Sequence, residues 1–270
     1  MMIKKIALCM MAVFLSFGFT AIVEGSEVNG AGVRGVIAVI EPIAPLVKSK
    51  VKVTVKLKEE KAGPTIDAVG EKKIAFGMMT RDLNDAEKKK YPNIKAITIA
   101  KDGVAIVVHK NNPVKELTAA QIRDIYAGKI TDWSQVGGSK GKIVVNIREK
   151  GSGQRVAMES ALMGGAAVDE KSAFVYSAMG AMSDDVSLNK AAIGYILISA
   201  IRDVKAITVD GKAPTIASIK AGAWPMEAPL LLLTLGEPAG TTKTFIDFLL
   251  SPEGQKAIEK QKVAPVRPTK

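Results

Sequence analysis

The 270-residue chain has one cysteine, one histidine, two tryptophans and only 5% aromatic residues. A lone cysteine leaves no intrachain disulfide and no cysteine-rich zinc site. A lone histidine, His109, excludes multi-histidine metal centres and the paired-histidine zinc hydrolases. Acidic residues are also scarce, 27 against 38 Lys and Arg, and the formal charge is +11. So large an excess raises the question of nucleic acid. The low aromatic content and the lack of a basic helix or an aromatic–basic motif argue against it. No internal repeat or low-complexity tract interrupts the chain. The 47% hydrophobic content suits a packed α/β protein of one large domain or two smaller ones.

One long apolar run is present, at the start. Residues 1–25 carry Lys4 and Lys5, then Ile6 to Val23 broken only by Ser16, Gly18 and Thr20, then the small residues Val23 and Gly25 at cleavage-site spacing. This pattern is that of a secretory signal peptide, with a mature start near Ser26. An uncleaved membrane anchor is the competing reading, since 18 residues are long enough to span. Cys9 sits too early, after bulky Leu8, for a lipoprotein cysteine. It leaves with the signal, and the mature charge becomes +10.

Strand and helix patterns alternate along the rest. Val51–Leu57, Lys73–Met79, Ala96–Ala100, Val104–His109, Lys142–Ile147, Ala192–Ile198 and Leu230–Thr234 read as strands, with Asp102-Gly103 splitting two of them. Helices are predicted over Ile66–Glu71, from Thr118, over Gly153–Met163, Thr242–Leu250 and Ser251–Gln261. Thr118 and Gln121 form a capping box ahead of the apolar face Ile122, Ile125 and Tyr126, and Gly128 supplies the stop. Ser251 caps the last helix, with Pro252 in its first turn. Met78, Met79, Met158 and Met163 are candidate core residues, as is Trp133. Trp224 packs a hinge or the core, and Lys88–Lys90 form a solvated face.

The segment with the most chemistry is Arg148-Glu149-Lys150-Gly151-Ser152-Gly153-Gln154-Arg155, between a strand and a helix. Its glycines allow a tight turn, and the first-turn N–H groups of the helix attract an anion. Ser152 adds a hydroxyl and Arg148 a bidentate fork. An ordinary turn has the same glycine pattern. Ser152 as a nucleophile lacks a base nearby, since the only histidine lies in another segment. Arg155 reads as a surface or ion-paired residue rather than a ligand. Two further loops, Gly30–Gly35 and Ala62–Thr65, each open a helix, and all three could converge on one anion in a cleft.

The stretches Asp102–Gly138, Ile147–Arg155, Ala191–Ile196 and Phe245–Gln261, in that order, resemble the shorter PstS-like phosphate-binding proteins of ABC phosphate uptake. The resemblance implies the type 2 periplasmic binding protein fold, two α/β lobes joined by two crossovers with an anion cleft between them. One lobe would hold 26–102 plus 224–270 and the other 103–223. It implies a periplasmic, monomeric receptor without cofactor, metal or catalysis, whose partners are phosphate or a similar oxyanion and an inner-membrane permease. Carried over, the ligand set is Gly32, Val33, Arg34, Gly63, Thr80, Arg81, Arg148, Ser152, Gly153 and Gln154. The match is uneven. Arg34 and Ala62 stand where the family has hydroxyls, Thr80 where the longer form has Asp, and Gln154 where it has Thr. A scaffold reused as an interaction or sensor domain, with a decayed anion site, is therefore the alternative.

Overall fold

The computed structural model describes residues 26–267. The expected signal segment, with Cys9, lies outside them. Among the described residues no helix is long and apolar enough to cross a membrane.

The chain begins with β1 (Ser26–Gly32), then α1 (Arg34–Ile40), α2 (Ala44–Val51), β2 (Val53–Glu59), α3 (Ala62–Gly70), β3 (Phe76–Met79) and α4 (Asp85–Lys90). The 16-residue strand β4 (Ile94–His109) carries it onward to β5 (Glu116–Leu117), α5 (Ala119–Tyr126), β6 (Val144–Arg148) and α6 (Gly153–Met158). A π-helical turn, Glu159–Met163, prolongs α6. Then come β7 (Phe174–Tyr176), α7 (Met179–Leu188), β8 (Ala192–Leu197), β9 (Val204–Ala206), β10 (Thr208–Val209) and α8 (Ile216–Lys220). The return strand β11 (Glu227–Leu235), α9 (Gly240–Leu250), α10 (Pro252–Glu259) and β12 (Ala264–Pro265) close the chain.

The strand order is β2-β1-β3-β11-β4-β8-β6-β7, with β9 and β12 also on β4 and a separate β5–β10 pair. Strand β4 serves both halves. Up to Gly103 it pairs antiparallel with β11, and from Val104 it pairs with β8. One apolar core gathers around Val104–Val108, Tyr126, Ile147, Met158 and Tyr195. A second gathers around Val36, Ile40, Phe76, Met78 and Phe245, flanked by a smaller cluster at Ile66 and Met79. These are the two lobes of a mixed α/β fold. Trp224, Met226 and Ala228 pack with the Val104–Val108 core, and the Trp224 indole N–H donates to the Val104 carbonyl at 3.0 Å.

The expected break at Asp102-Gly103 is absent; both residues lie inside β4. The Asp102 carboxylate accepts its neighbour's amide (Gly103 N, 2.7 Å), and pairing with β11 and β8 on either side keeps the backbone extended. The other local signals behave as their chemistry dictates. Thr118 Oγ1 accepts from Gln121 N and Gln121 Oε1 accepts from Thr118 N, the reciprocal capping box. Ser251 Oγ accepts from Gly254 N ahead of Pro252. The helix expected from Ile66 starts earlier, at Ala62, and Val51 ends α2 rather than starting a strand.

Candidate functional site

Strand β6 ends on Arg148 and α6 begins on Gly153, which puts Arg148, Ser152 and Gln154 within one turn of each other. The Arg148 backbone N–H donates to the Tyr195 hydroxyl at 2.8 Å and anchors the strand end. Arg148 is 8% exposed. Nε donates to the Tyr176 carbonyl (3.1 Å), Nη2 to the Ser177 carbonyl (2.9 Å) and Nη1 to Gln154 Oε1 (2.9 Å). All three acceptors are neutral. Among the described residues no carboxylate lies within ion-pair distance of Arg148. Burial pulls its pKa below the usual arginine value, against the opposing pull of Glu149, Tyr195 and Glu59. An isolated buried charge costs several kcal/mol unless it is paired. Arg148 is therefore a cation held in place by carbonyl oxygens and, among the described residues, left without an ion-paired carboxylate.

Ser152 is the N-cap residue of α6, but its side chain does not cap. The hydroxyl donates instead to Gln154 Oε1 at 2.8 Å, so Arg148 and Ser152 converge on one oxygen. Thr80, at the end of β3 in the other lobe, closes over this group. It is 2% exposed, and its buried Oγ1 has no hydrogen-bond partner among the described residues. Gly153 and Gly35 permit the approach. A Cβ on Gly153 would sit 2.2 Å from Thr80 Oγ1, and one on Gly35 would sit 2.6 Å from Leu197 Cδ1 and 3.3 Å from Thr80 Cγ2. Two polar contacts tie the lobes beside it. Lys61 Nζ meets Glu149 Oε2 at 2.8 Å and Arg81 Nε donates to the Gly151 carbonyl at 3.0 Å.

The remaining candidates are placed differently. Arg81 spends its fork on Glu87, two bonds of 2.7 Å, and on the Asp82 carbonyl, so its charge is compensated. Although burial works to raise the Glu87 pKa, the Arg81 and Asn84 hydrogen bonds hold it below the usual carboxylate value. Arg34 is half-exposed, pairs with Glu41 at 3.2 Å, and lines a groove of about 580 Å³ with Met179, Ser183 and Asp184. It is not brought to Arg148. The Val33 N–H donates to the Met78 carbonyl, which commits that amide to the sheet. Gly32 is fixed by the same approach, since a Cβ there would lie 2.2 Å from the Met78 oxygen. Gly63 is exposed in the first turn of α3. Arg155 is buried rather than on the surface, and is ion-paired with Glu159 and Glu170. His109 lies at the far end of β4, its Nδ1 accepting from Asn111 N, so no imidazole serves Ser152. Lys61 and the Tyr176 and Ser177 carbonyls went unnoticed in the sequence, and Gly35 was named only as the end of the Gly30–Gly35 loop. Backbone acceptors leave no side-chain signature, and Gly35 is one glycine among 24.

The chain matches the PBP superfamily domain over residues 23–253. The chain belongs to the PBP superfamily. Its relatives within that superfamily are PstS-type proteins. It is 30% identical over 178 residues to the phosphate-binding protein PstS of Bacillus subtilis, covering 64% of this chain and 59% of that one. It is 32% identical over 214 residues to PstS of Staphylococcus epidermidis, covering 72% and 65%. The aligned region thus spans under two thirds of either curated relative's length. A substrate-binding protein assigned to phosphate ABC transport in Clostridium perfringens, solved with bound phosphate, superposes with TM-score 0.83. It is 35% identical and covers 90% of this chain and all of that one. An ABC-type phosphate transport receptor from Vibrio cholerae superposes with TM-score 0.72 at 31% identity, covering 89% and 100%. In this PBP-superfamily chain the Arg148–Ser152–Thr80 group lies where the two lobes meet.

Proposed function

We infer that the chain is a receptor that captures phosphate, or a small oxyanion of that class, between its lobes and delivers it to an ABC permease. The observation that carries this is the buried Arg148 guanidinium without a carboxylate. Two of its five N–H groups remain for an oxyanion beyond the three given to Tyr176, Ser177 and Gln154. The orphaned Thr80 hydroxyl supplies a further donor from the other lobe, and the Ser152 hydroxyl, now donated to Gln154, supplies one when Gln154 releases it. The phosphate-binding names of the relatives favour this reading over a sensor domain with a decayed site. Binding rather than catalysis fits a serine with no adjacent base.

Residues 26–102 with 224–267 form one lobe and 103–223 the other, the change of partner along β4 at Gly103 supporting the first boundary; Trp224, Met226 and Ala228, just past the second, pack with the 103–223 core. The first 25 residues are the export signal, and the mature chain acts as a monomer outside the inner membrane, without cofactor and without nucleic acid. Its positive charge draws small anions over a distance.

Isothermal titration of residues 26–270 with phosphate, arsenate and sulfate tests the reading. The expected result is phosphate binding in the low micromolar range or tighter. Titrations without heat for all three anions would overturn it.

A further inference from the structure

Gln154 is 5% exposed and bonded unevenly. Its amide oxygen accepts the Arg148 Nη1 donor at 2.9 Å and the Ser152 hydroxyl at 2.8 Å. Among the described residues its amide nitrogen has only the Met179 sulfur, 3.8 Å away, a weak acceptor. The reverse orientation would set the NH2 group against the Arg148 N–H, donor against donor, so the oxygen end belongs where it is. One oxygen that accepts from a guanidinium and a hydroxyl is the arrangement an oxyanion would make with the same two donors. The amide carries no net charge. It satisfies the hydrogen bonds of Arg148 without neutralising the cation.

The geometry points to Gln154 as an internal competitor for the anion: its side-chain oxygen holds the Arg148 and Ser152 donors and must swing away before an anion oxygen can take them. This rests on the oxyanion-binding reading given above. The apparent affinity is then the intrinsic affinity multiplied by the fraction of molecules with Gln154 displaced. That fraction is the same whichever anion arrives. Gln154 therefore sets how tightly the site binds anions in general and leaves their ranking alone. A residue that donated to the bound anion would instead strengthen its binding, so that removing it would weaken both anions.

The test is isothermal titration of inorganic phosphate and sulfate into the wild type and into Gln154→Ala, Gln154→Thr and Gln154→Glu, with circular dichroism to confirm folding. Ala and Thr are expected to bind both anions about tenfold more tightly, about 1.4 kcal/mol, with the phosphate-to-sulfate ratio unchanged. Glu, matched in size, gives Arg148 a permanent carboxylate. It is expected to weaken both anions by more than about a hundredfold, about 2.8 kcal/mol, without lowering the thermal midpoint. Weaker or equal binding by Ala and Thr would overturn the inference while leaving the anion reading in place. If neither the wild type nor any variant binds phosphate or sulfate, the anion reading falls, and the inference with it.

Discussion

Asp102 should make the protein less stable at neutral pH than at mildly acidic pH, and its replacement by Asn should remove that dependence. The carboxyl is fully buried at the point where β4 leaves β11 for β8. It accepts from Gly103 N at 2.7 Å and from the Ser199 hydroxyl and amide. Burial pushes its pKa up to about 6 from 3.8, the hydrogen bonds from Ser199 and Gly103 holding back part of the rise. A folded-state pKa above the unfolded one means the native state binds more protons between about pH 4 and 6. Stability is therefore greatest below the unfolded pKa and falls as pH rises through the folded one. A shift of about 2 units at 1.36 kcal/mol each gives about 3 kcal/mol lost between pH 4 and 7. An Asn can keep the backbone amides on its oxygen and donate to the Ser199 hydroxyl, so Asp102→Asn should fold. Urea denaturation of both proteins from pH 4 to 8 measures the effect. The difference in unfolding free energy should move by about 3 kcal/mol in favour of Asn as the pH rises. Parallel profiles would show that Asp102 titrates normally and that the reasoning from burial fails.

Other outcomes follow from the same contacts. Gly153→Ala fits the α6 backbone but places a methyl 2.2 Å from Thr80 Oγ1. Phosphate affinity should fall at least about tenfold, a loss of about 1.4 kcal/mol, and small-angle scattering should show a less closed molecule; unchanged affinity would contradict the closure geometry. Thr118→Ala removes one half of the α5 capping box and should cost about 1 kcal/mol in urea unfolding. Sulfate should compete with phosphate within about one order of magnitude of affinity. No carboxylate stands among Arg148, Ser152, Gln154 and Thr80 to accept a phosphate proton, and such an acceptor would cost a fully ionised anion 1–3 kcal/mol of discrimination. A phosphate preference over sulfate of a thousandfold or more would mean that an acceptor has been missed.

The site was readable in the sequence wherever its chemistry was local. Arg148, Ser152 and Gln154 lie within one turn, and a strand ending on Arg before a Gly-Ser-Gly helix start forces them together. Thr118 with Gln121, and Ser251 with Pro252, were readable for the same reason, since the partner of each group is three residues away or fewer. The residues that the sequence placed less well depend on contacts made elsewhere. Arg81 could be assigned to an anion until Glu87 claimed its fork. The direction of Arg34 is set by its pairing with Glu41 along the helix that follows. Asp102-Gly103 carries a turn signal, but β11 on one side and β8 on the other keep β4 extended through it. Tertiary pairing of this kind overrides a dipeptide preference worth a fraction of a kcal/mol. Strand β1, with two glycines in its span, has too little alternation to announce itself.

The claim on which the rest depends is that the uncompensated Arg148 cation holds the anion. Titrating phosphate into Arg148→Ala beside the wild type measures it most directly. Truncating one partner of a buried charge pair costs about 2–5 kcal/mol, so the variant should bind at least about thirtyfold more weakly, with its fold intact by circular dichroism. Equal phosphate affinity in the two proteins would contradict the account.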